Sequence, residues 1–416
     1  MKMLKFKNHV PLQEAAKNTH MTHIEDLILD GGVKGARQAI LALRSLRDML
    51  SGNAKAPVDI TVKWDGAPAV FAGVDPGDGK FFVAKKGIFA KNPKVYKSHE
   101  DIDADTSGDL SKKLKLAFDE LKDLGIKDVI QGDFMFDKAD IKKEKINGEP
   151  HITFHPNTIV YAIPARSDLA KQILSAKVGI VWHTTYSGAT FETMKAEFGR
   201  EIVPKLKQSK SVWMQDATLP DLSGTATLTA KETEQVNKNL SAAGKIFQKI
   251  ASTTLKEIEQ NKELNMIINV YNNRKVREGQ RVADTKKHAT GLIMFVRDRY
   301  AKEIDKRSSQ KGKDVQIKKR DELLKFFDKK NLKNLQLIFE LQNYVINSKL
   351  IIINKLNKLS NIGTFVKTKS GFRVTNPEGF VAIDRMEGGA VKLVDRMEFS
   401  TNNFSKDIIK GWDNPN

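Results

Sequence analysis

Val58-Asp59-Ile60-Thr61-Val62-Lys63-Trp64-Asp65-Gly66 is the stretch on which the fold turns. Its β-branched run predicts a strand, and Asp65-Gly66 predicts the turn that ends it. Lys63 is thereby an amine at a strand terminus, held against a turn. Four residues of K-x-D-G carry little by themselves, because a lysine-rich chain produces them by chance. The rest of the chain has to supply what a reactive lysine needs.

Working outward, Val33 to Leu50 reads as an amphipathic helix, with Ala36, Ile40, Leu43, Leu46 and Leu50 at three- and four-residue spacing. On the other side, strands are predicted at 69–72 and 81–84, joined through the turn Pro76-Gly77-Asp78-Gly79. A helix over 110–124 precedes a short apolar strand, Asp128 to Asp133, that ends in its acidic residue. A hairpin is expected around Asn147-Gly148. Buried strands follow at 158–163 and 179–182, with Trp182 and Trp213 as core residues.

The character changes after about residue 225. From Ala226 to Ser360 the pattern is helical and holds 29 Lys and Arg against 15 Asp and Glu, a net of +14 out of the chain's +19. Ser308 to Lys313 is predicted as a mobile loop between helices, and Leu350 to Ile353 as core. Strand signals return in a hairpin around Lys369-Ser370, then at 379–383 and 390–394, the last two separated by Glu387-Gly388-Gly389. This gives an α+β chain in three parts: 1–225, a basic helical insertion over 226–360, and 361–416.

Composition narrows the function classes. With no cysteine among 416 residues, disulfides, thiolate zinc sites and cysteine nucleophiles are excluded. His20, His23, His151, His155, His183 and His288 match no zinc spacing. No apolar run reaches 18 residues, and Met1 to Pro11 is basic without a following apolar stretch, so neither a membrane span nor a secretory leader is expected. A cytoplasmic setting fits. A pI near 9.6 favours a polyanionic partner, with nucleic acid the leading candidate.

Polar residues fall on predicted strand ends in a telling order: Lys63 and Asp65, Lys85 and Lys86 before Gly87, Asp133, Glu378-Gly379, and Lys392. A lysine that attacks a phosphate must lose a proton, needs carboxylates that place a divalent cation, and needs further cations for charge developing on phosphoryl oxygens. In this order the residues resemble the covalent nucleotidyltransferases, which comprise ATP-dependent DNA ligases, RNA ligases (including the phage type) and mRNA capping enzymes. Lys63-Trp64-Asp65-Gly66 matches K-x-D-G, which implies that Lys63 is adenylylated and that Asp65 and Gly66 shape the nucleotide pocket. Ala84-Lys85-Lys86-Gly87 resembles S-R-x-G, with Lys85 in the place of an arginine that contacts the nucleotide. Gln131-Gly132-Asp133-Phe134 resembles the G-E-[LF] motif, with Asp133 for a metal-organising glutamate. Tyr161 falls where an aromatic packs on the purine, although an aromatic in such a strand is more often a core residue. Glu378-Gly379-Phe380-Val381 matches E-G-x-V, and implies a contact to nucleotide and metal. Val391-Lys392-Leu393-Val394 resembles K-x-K with only its first lysine; the register Ala390-Val391-Lys392 would keep only the second.

The resemblance covers roughly residues 55–190 and 361–400. It implies antiparallel, ATP-grasp-like sheets, ATP and Mg²⁺ as cofactors, and polynucleotide ligation. After Lys392 only 24 residues remain, too few for the OB-fold that follows in DNA ligases and capping enzymes. RNA is therefore expected over DNA as substrate, with the basic helices as the polynucleotide-binding region. Capping-type transfer and a non-catalytic nucleic-acid-binding relative stay open as alternatives.

Overall fold

A computed structural model of the chain describes residues 21–53, 58–219, 227–359, 362–384 and 390–413. The expected turn Glu387-Gly388-Gly389 lies outside the described residues. The chain is mixed α+β and divides into two units. One is built from Gly66–Pro156 and Pro164–Ala217, the other from Thr22–Asp65, Asn157–Ile163 and the chain from Thr218 onward.

The first unit centres on a six-stranded sheet. Its strands run in the order Val212–Asp216, Val178–Ser187, Val129–Asp137, Ala69–Val74, Phe81–Ala84, with Lys195–Phe198 beside the second. Alternation places Val70, Ala72, Ile130, Phe134, Ile180 and Trp182 on one face, and the helix Gly108–Leu121 covers that face with Leu114, Ala117 and Leu121. Phe71, Phe82, Val129 and Tyr186 fill the opposite face. Asn147 and Gly148 both take positive φ, 52° and 85°, which is the two-residue turn that the hairpin Lys142–Ile146/Glu149–Phe154 requires. The strand expected to end at Asp133 continues to Asp137, because Phe134, Met135 and Phe136 have both faces of the sheet to fill. Asp133 therefore lies in mid-strand, between Ala69 and Val181.

The second unit is a three-stranded antiparallel sheet backed by helices. Gly379–Asp384 lies between Val58–Lys63 and Ala390–Leu393. Ile60, Phe380, Ala382 and Leu393 point into the same core as the helix Gly32–Leu50, the capped helix Ala230–Phe247 and the long helix Lys329–Leu356. The basic helical segment thus does not form the separate insertion expected over 226–360. Its apolar stripes are completed by Ala36, Ile40, Leu43 and Leu46 of Gly32–Leu50, and the two fold as one core. Nor is Ser308–Lys313 a loop: the Ser309 hydroxyl accepts the Gly312 N–H at 3.1 Å and starts the helix Gln310–Leu324.

At the base of this core is a buried ion pair. Lys349 Nζ sits 2.7 Å from Glu25 Oε1, with both side chains 3% exposed or less. Arg396 approaches the same oxygen at 3.7 Å but is engaged with Asp26 at 3.0 Å. Removing one member of such a pair leaves a charge in a medium that cannot solvate it. Lys349→Met should therefore lower the unfolding free energy by about 3 kcal/mol in urea, and Glu25→Gln in the same chain should restore most of it. A loss below ~1 kcal/mol would mean that Arg396 or water already carries Glu25.

Candidate functional site

The site is built on the end of the Val58–Lys63 strand. Antiparallel register puts Lys63 opposite Gly379, and Thr61 opposite Val381, which in turn faces Lys392. Because side chains alternate, Lys63, Thr61 and Lys392 share one face of the sheet. Glu378, the residue before the central strand, reaches Lys63 and forms an ion pair from its Oε2 to Nζ. Burial pushes the Glu378 carboxyl above the usual glutamate range; Lys63 opposes that rise, Asp65 adds to it, and Lys392 opposes it more weakly. One lysine terminus, one buried carboxylate and a second lysine are thereby brought together from three strands.

Gly379 has a backbone reason to be glycine. Its φ is +151°, and an added Cβ would stand 2.7 Å from both Leu393 O and Val394 Cγ2. The same contact fixes where the last strand lies beside Gly379. Position 394 abuts Gly379, directly across from Lys63, whereas position 390 pairs with Ile383 at the far end of the strand. Val394, 2% exposed, therefore packs on Gly379, and Lys392, two residues before it, lies on the face of the sheet that Lys63 shares.

Asp65 does not face an open pocket with its charge. Its carboxylate accepts Asn157 Nδ2 at 2.7 Å, Thr158 N at 2.8 Å and Ile159 N at 2.8 Å. Its own N–H donates to the Tyr161 hydroxyl at 2.7 Å, and the Tyr161 ring stacks on Trp64 with centroids 5.0 Å apart. Tyr161, 3% exposed, is accordingly a core residue, and the base-stacking role expected of it lacks an open ring face. A second carboxylate is spent in the same way. Glu398 accepts Thr375 Oγ1, Asn376 N and Asn376 Nδ2 at 2.7–3.0 Å, fixing the segment that leads into Glu378. Asp65, Glu378, Asp395 and Glu398 border a small cleft of about 20 Å³, room for little more than a water molecule.

Lys85, Gly66 and Asp133 belong to the first unit. Lys85 pairs with Asp105 at 2.9 Å, and His183 Nε2 stands 4.0 Å from Asp133 Oδ2. Gly66 packs on Asp133: a Cβ added there would lie 2.5 Å from the Asp133 Cβ, so close approach is what demands a glycine. Among the described residues no three potential metal-ligating side chains cluster. Glu378 alone suits Mg²⁺ rather than a protein cage, since that ion takes one or two carboxylates and leaves its other positions to phosphates and water.

Sequence reading missed Glu398, Asn157, Trp64 and the segment Thr22–Ile24, which hydrogen-bonds both sides of the Lys392 backbone. Only Glu398 left a signal. Asp395 followed by Glu398 is an N-cap spacing, and Asp395 does accept Met397 N at 3.0 Å to begin the helix Arg396–Phe404.

The Asp65 clamp makes a direct prediction. Asp65→Ala strands two buried backbone donors, Thr158 N and Ile159 N, and should cost about 3 kcal/mol in chemical unfolding. A cost under ~1 kcal/mol would show that water replaces the carboxylate and that the clamp is not structural.

Among the described residues no helix is long and apolar enough to cross a membrane. No curated protein matches the chain, and no solved structure does either. Residues 18–408 match a family of unknown function, DUF6267, and the chain belongs to that family.

Proposed function

We propose that this chain is an ATP-dependent polynucleotide ligase with a covalent nucleotidyltransferase fold, acting in the cytoplasm on RNA in preference to DNA through a lysyl-AMP intermediate. The observation that carries the reading is the ion pair between Lys63 and Glu378 at the end of a three-strand sheet whose same face holds Lys392. The ion pair and the shared face support reading K-x-D-G, E-G-x-V and the last lysine as parts of one site.

In this reading the proton of Lys63 passes to Glu378 Oε2, the carboxylate it already touches, and burial makes that carboxylate a better base than an exposed one. Nζ then attacks the α-phosphorus of ATP. The N–P bond forms, the bond from the α-phosphorus to the bridging oxygen breaks, and pyrophosphate leaves. Lys392 takes up negative charge on the phosphoryl oxygens. Mg²⁺ carried on the ATP phosphates would supply further Lewis-acid stabilisation. The AMP is next passed to a 5′-phosphate, and a 3′-hydroxyl displaces it to seal the strand.

The helix Gln310–Leu324 suits the polynucleotide. It exposes Lys311, Lys318 and Lys319 to solvent, with Lys313 half-buried and Arg320 paired with Asp321, so three of its cations stand where phosphates can reach them. Val394 favours a second reading, a non-catalytic relative that keeps the fold to bind nucleic acid, because this apolar residue stands where the resemblance would place a second lysine.

Incubation with α-labelled ATP or GTP and Mg²⁺, followed by denaturing electrophoresis, separates these. The ligase reading expects a protein-bound label from ATP that is lost in Lys63→Ala and falls at least about 100-fold in rate in Glu378→Gln. It also expects nicked or single-stranded RNA to be sealed. A label from GTP alone would move the reading to capping chemistry, and retained RNA binding without any label would make the chain a binding protein.

A further inference from the structure

The hairpin of Gly363–Thr368 and Gly371–Val374 has one face turned into its unit and the other open. Thr364, Val366 and Ile408 are buried on the inner side. The register pairs Phe365 with Val374, and Lys367 with both Phe372 and Ile409, so these five side chains share the outer face. That face is closed where it meets Val160 and Ala162, each 1% exposed, and opens outward from Phe365 to Val374, which is 70% exposed.

Its chemistry is unusual for a surface left to water. The rings of Phe365 and Phe372 meet edge to face with centroids 6.3 Å apart, and Lys367 Nζ lies 5.6 Å from the Phe372 centroid. Residues 363–374 carry Lys367, Lys369 and Arg373 and no acidic residue. The pattern recurs in the same unit: Lys410 Nζ stands 5.3 Å from the ring of Trp412, which is 62% exposed, and Arg277, from the helix Lys262–Arg277, lies 5.4 Å from the ring of Phe404, which is 64% exposed. Aromatic rings interleaved with cations on an open sheet are what unpaired bases and their phosphates require: a π-face on which each base can lie, and positive charge alongside for the backbone.

We propose that the outer face of this hairpin is a stacking platform for single-stranded polynucleotide, with Phe372 and Phe365 as the base-contacting rings, and Lys367 on that face and Lys369 at the turn as phosphate contacts. The proposal deepens the ligase reading by naming where an unpaired strand end would lie, and rests on it only for the strand's fate. Stacking is sequence-tolerant, so no base preference is expected. Paired RNA should bind less well, because its bases are not available to the rings.

The test is fluorescence anisotropy of the full chain with a labelled twenty-nucleotide oligouridine, and with a duplex of equal length. Phe372→Ala and Phe372→Leu should each weaken single-strand binding about tenfold and leave duplex binding within twofold; Phe372→Trp should retain parent affinity. Leu keeps the apolar packing of the hairpin, so a loss in both variants with unchanged circular dichroism reports the ring rather than the fold. Parent-like affinity in Phe372→Leu, or a chain that does not bind the single strand at all, overturns the proposal and leaves the face to a protein partner. Labelling of Lys63 from ATP, measured on the same samples, should be unchanged by these substitutions. No label in the parent, together with binding that depends on Phe372, would sink the ligase reading and keep the platform. A label with binding indifferent to Phe372 would do the reverse.

Discussion

The proposed catalytic site depends on one strand pairing, Lys63 opposite Gly379. The two residues stand near opposite ends of the sequence, and closing so long a loop costs about 5 kcal/mol of chain entropy before any contact forms. Several features offset that cost. Apolar residues of the sheet, Ile60, Phe380 and Leu393, enter the helical core. The helical segment between the strands folds back on Gly32–Leu50 and returns the chain to where it started. Leu219 N–H donates to Ile60 O at 2.9 Å, so the return begins on the lysine strand itself. The pairing also demands a glycine, because any Cβ at position 379 would strike Leu393 O.

The carboxylates around this pairing divide into two kinds. Asp65 and Glu398 are consumed by backbone and amide donors, and fix the segments 157–159 and 375–376. Asp395 is consumed by a helix N-terminus. Glu378 is different: its recorded partner is a lysine, and burial raises its carboxyl. A satisfied carboxylate holds structure, whereas one set against an amine in a poorly solvated place can exchange a proton or a cation. The proposed site is thus a single lysine–carboxylate pair inside a frame of satisfied carboxylates.

Much of the fold was legible because short-range signals dominated it. The periodicity of 33–50, the Asn147-Gly148 turn and the alternation at 379–383 each have a local cause, and each element formed close to where it was read. What was not legible was set by tertiary burial. Asp133 looks like a strand end until Phe134 and Phe136 are seen to need both faces of a sheet. The helices of 226–360 look separable until Leu43 and Leu46 are found completing their core. Tyr161 could be a platform or a core residue on sequence alone, and the stacking of Trp64 on its ring decides for the core. The order of Lys63, Glu378 and Lys392 could be read from the chain; their common face came only from the register.

The central claim is that Lys63 is a nucleophile held by Glu378. The most direct measurement is peptide mapping by mass spectrometry after incubation with unlabelled ATP and Mg²⁺. The account predicts a single adduct with the mass of one AMP residue, attached through an acid-labile bond to the peptide that contains Lys63. An unmodified chain, or an adduct on any other lysine, would contradict it.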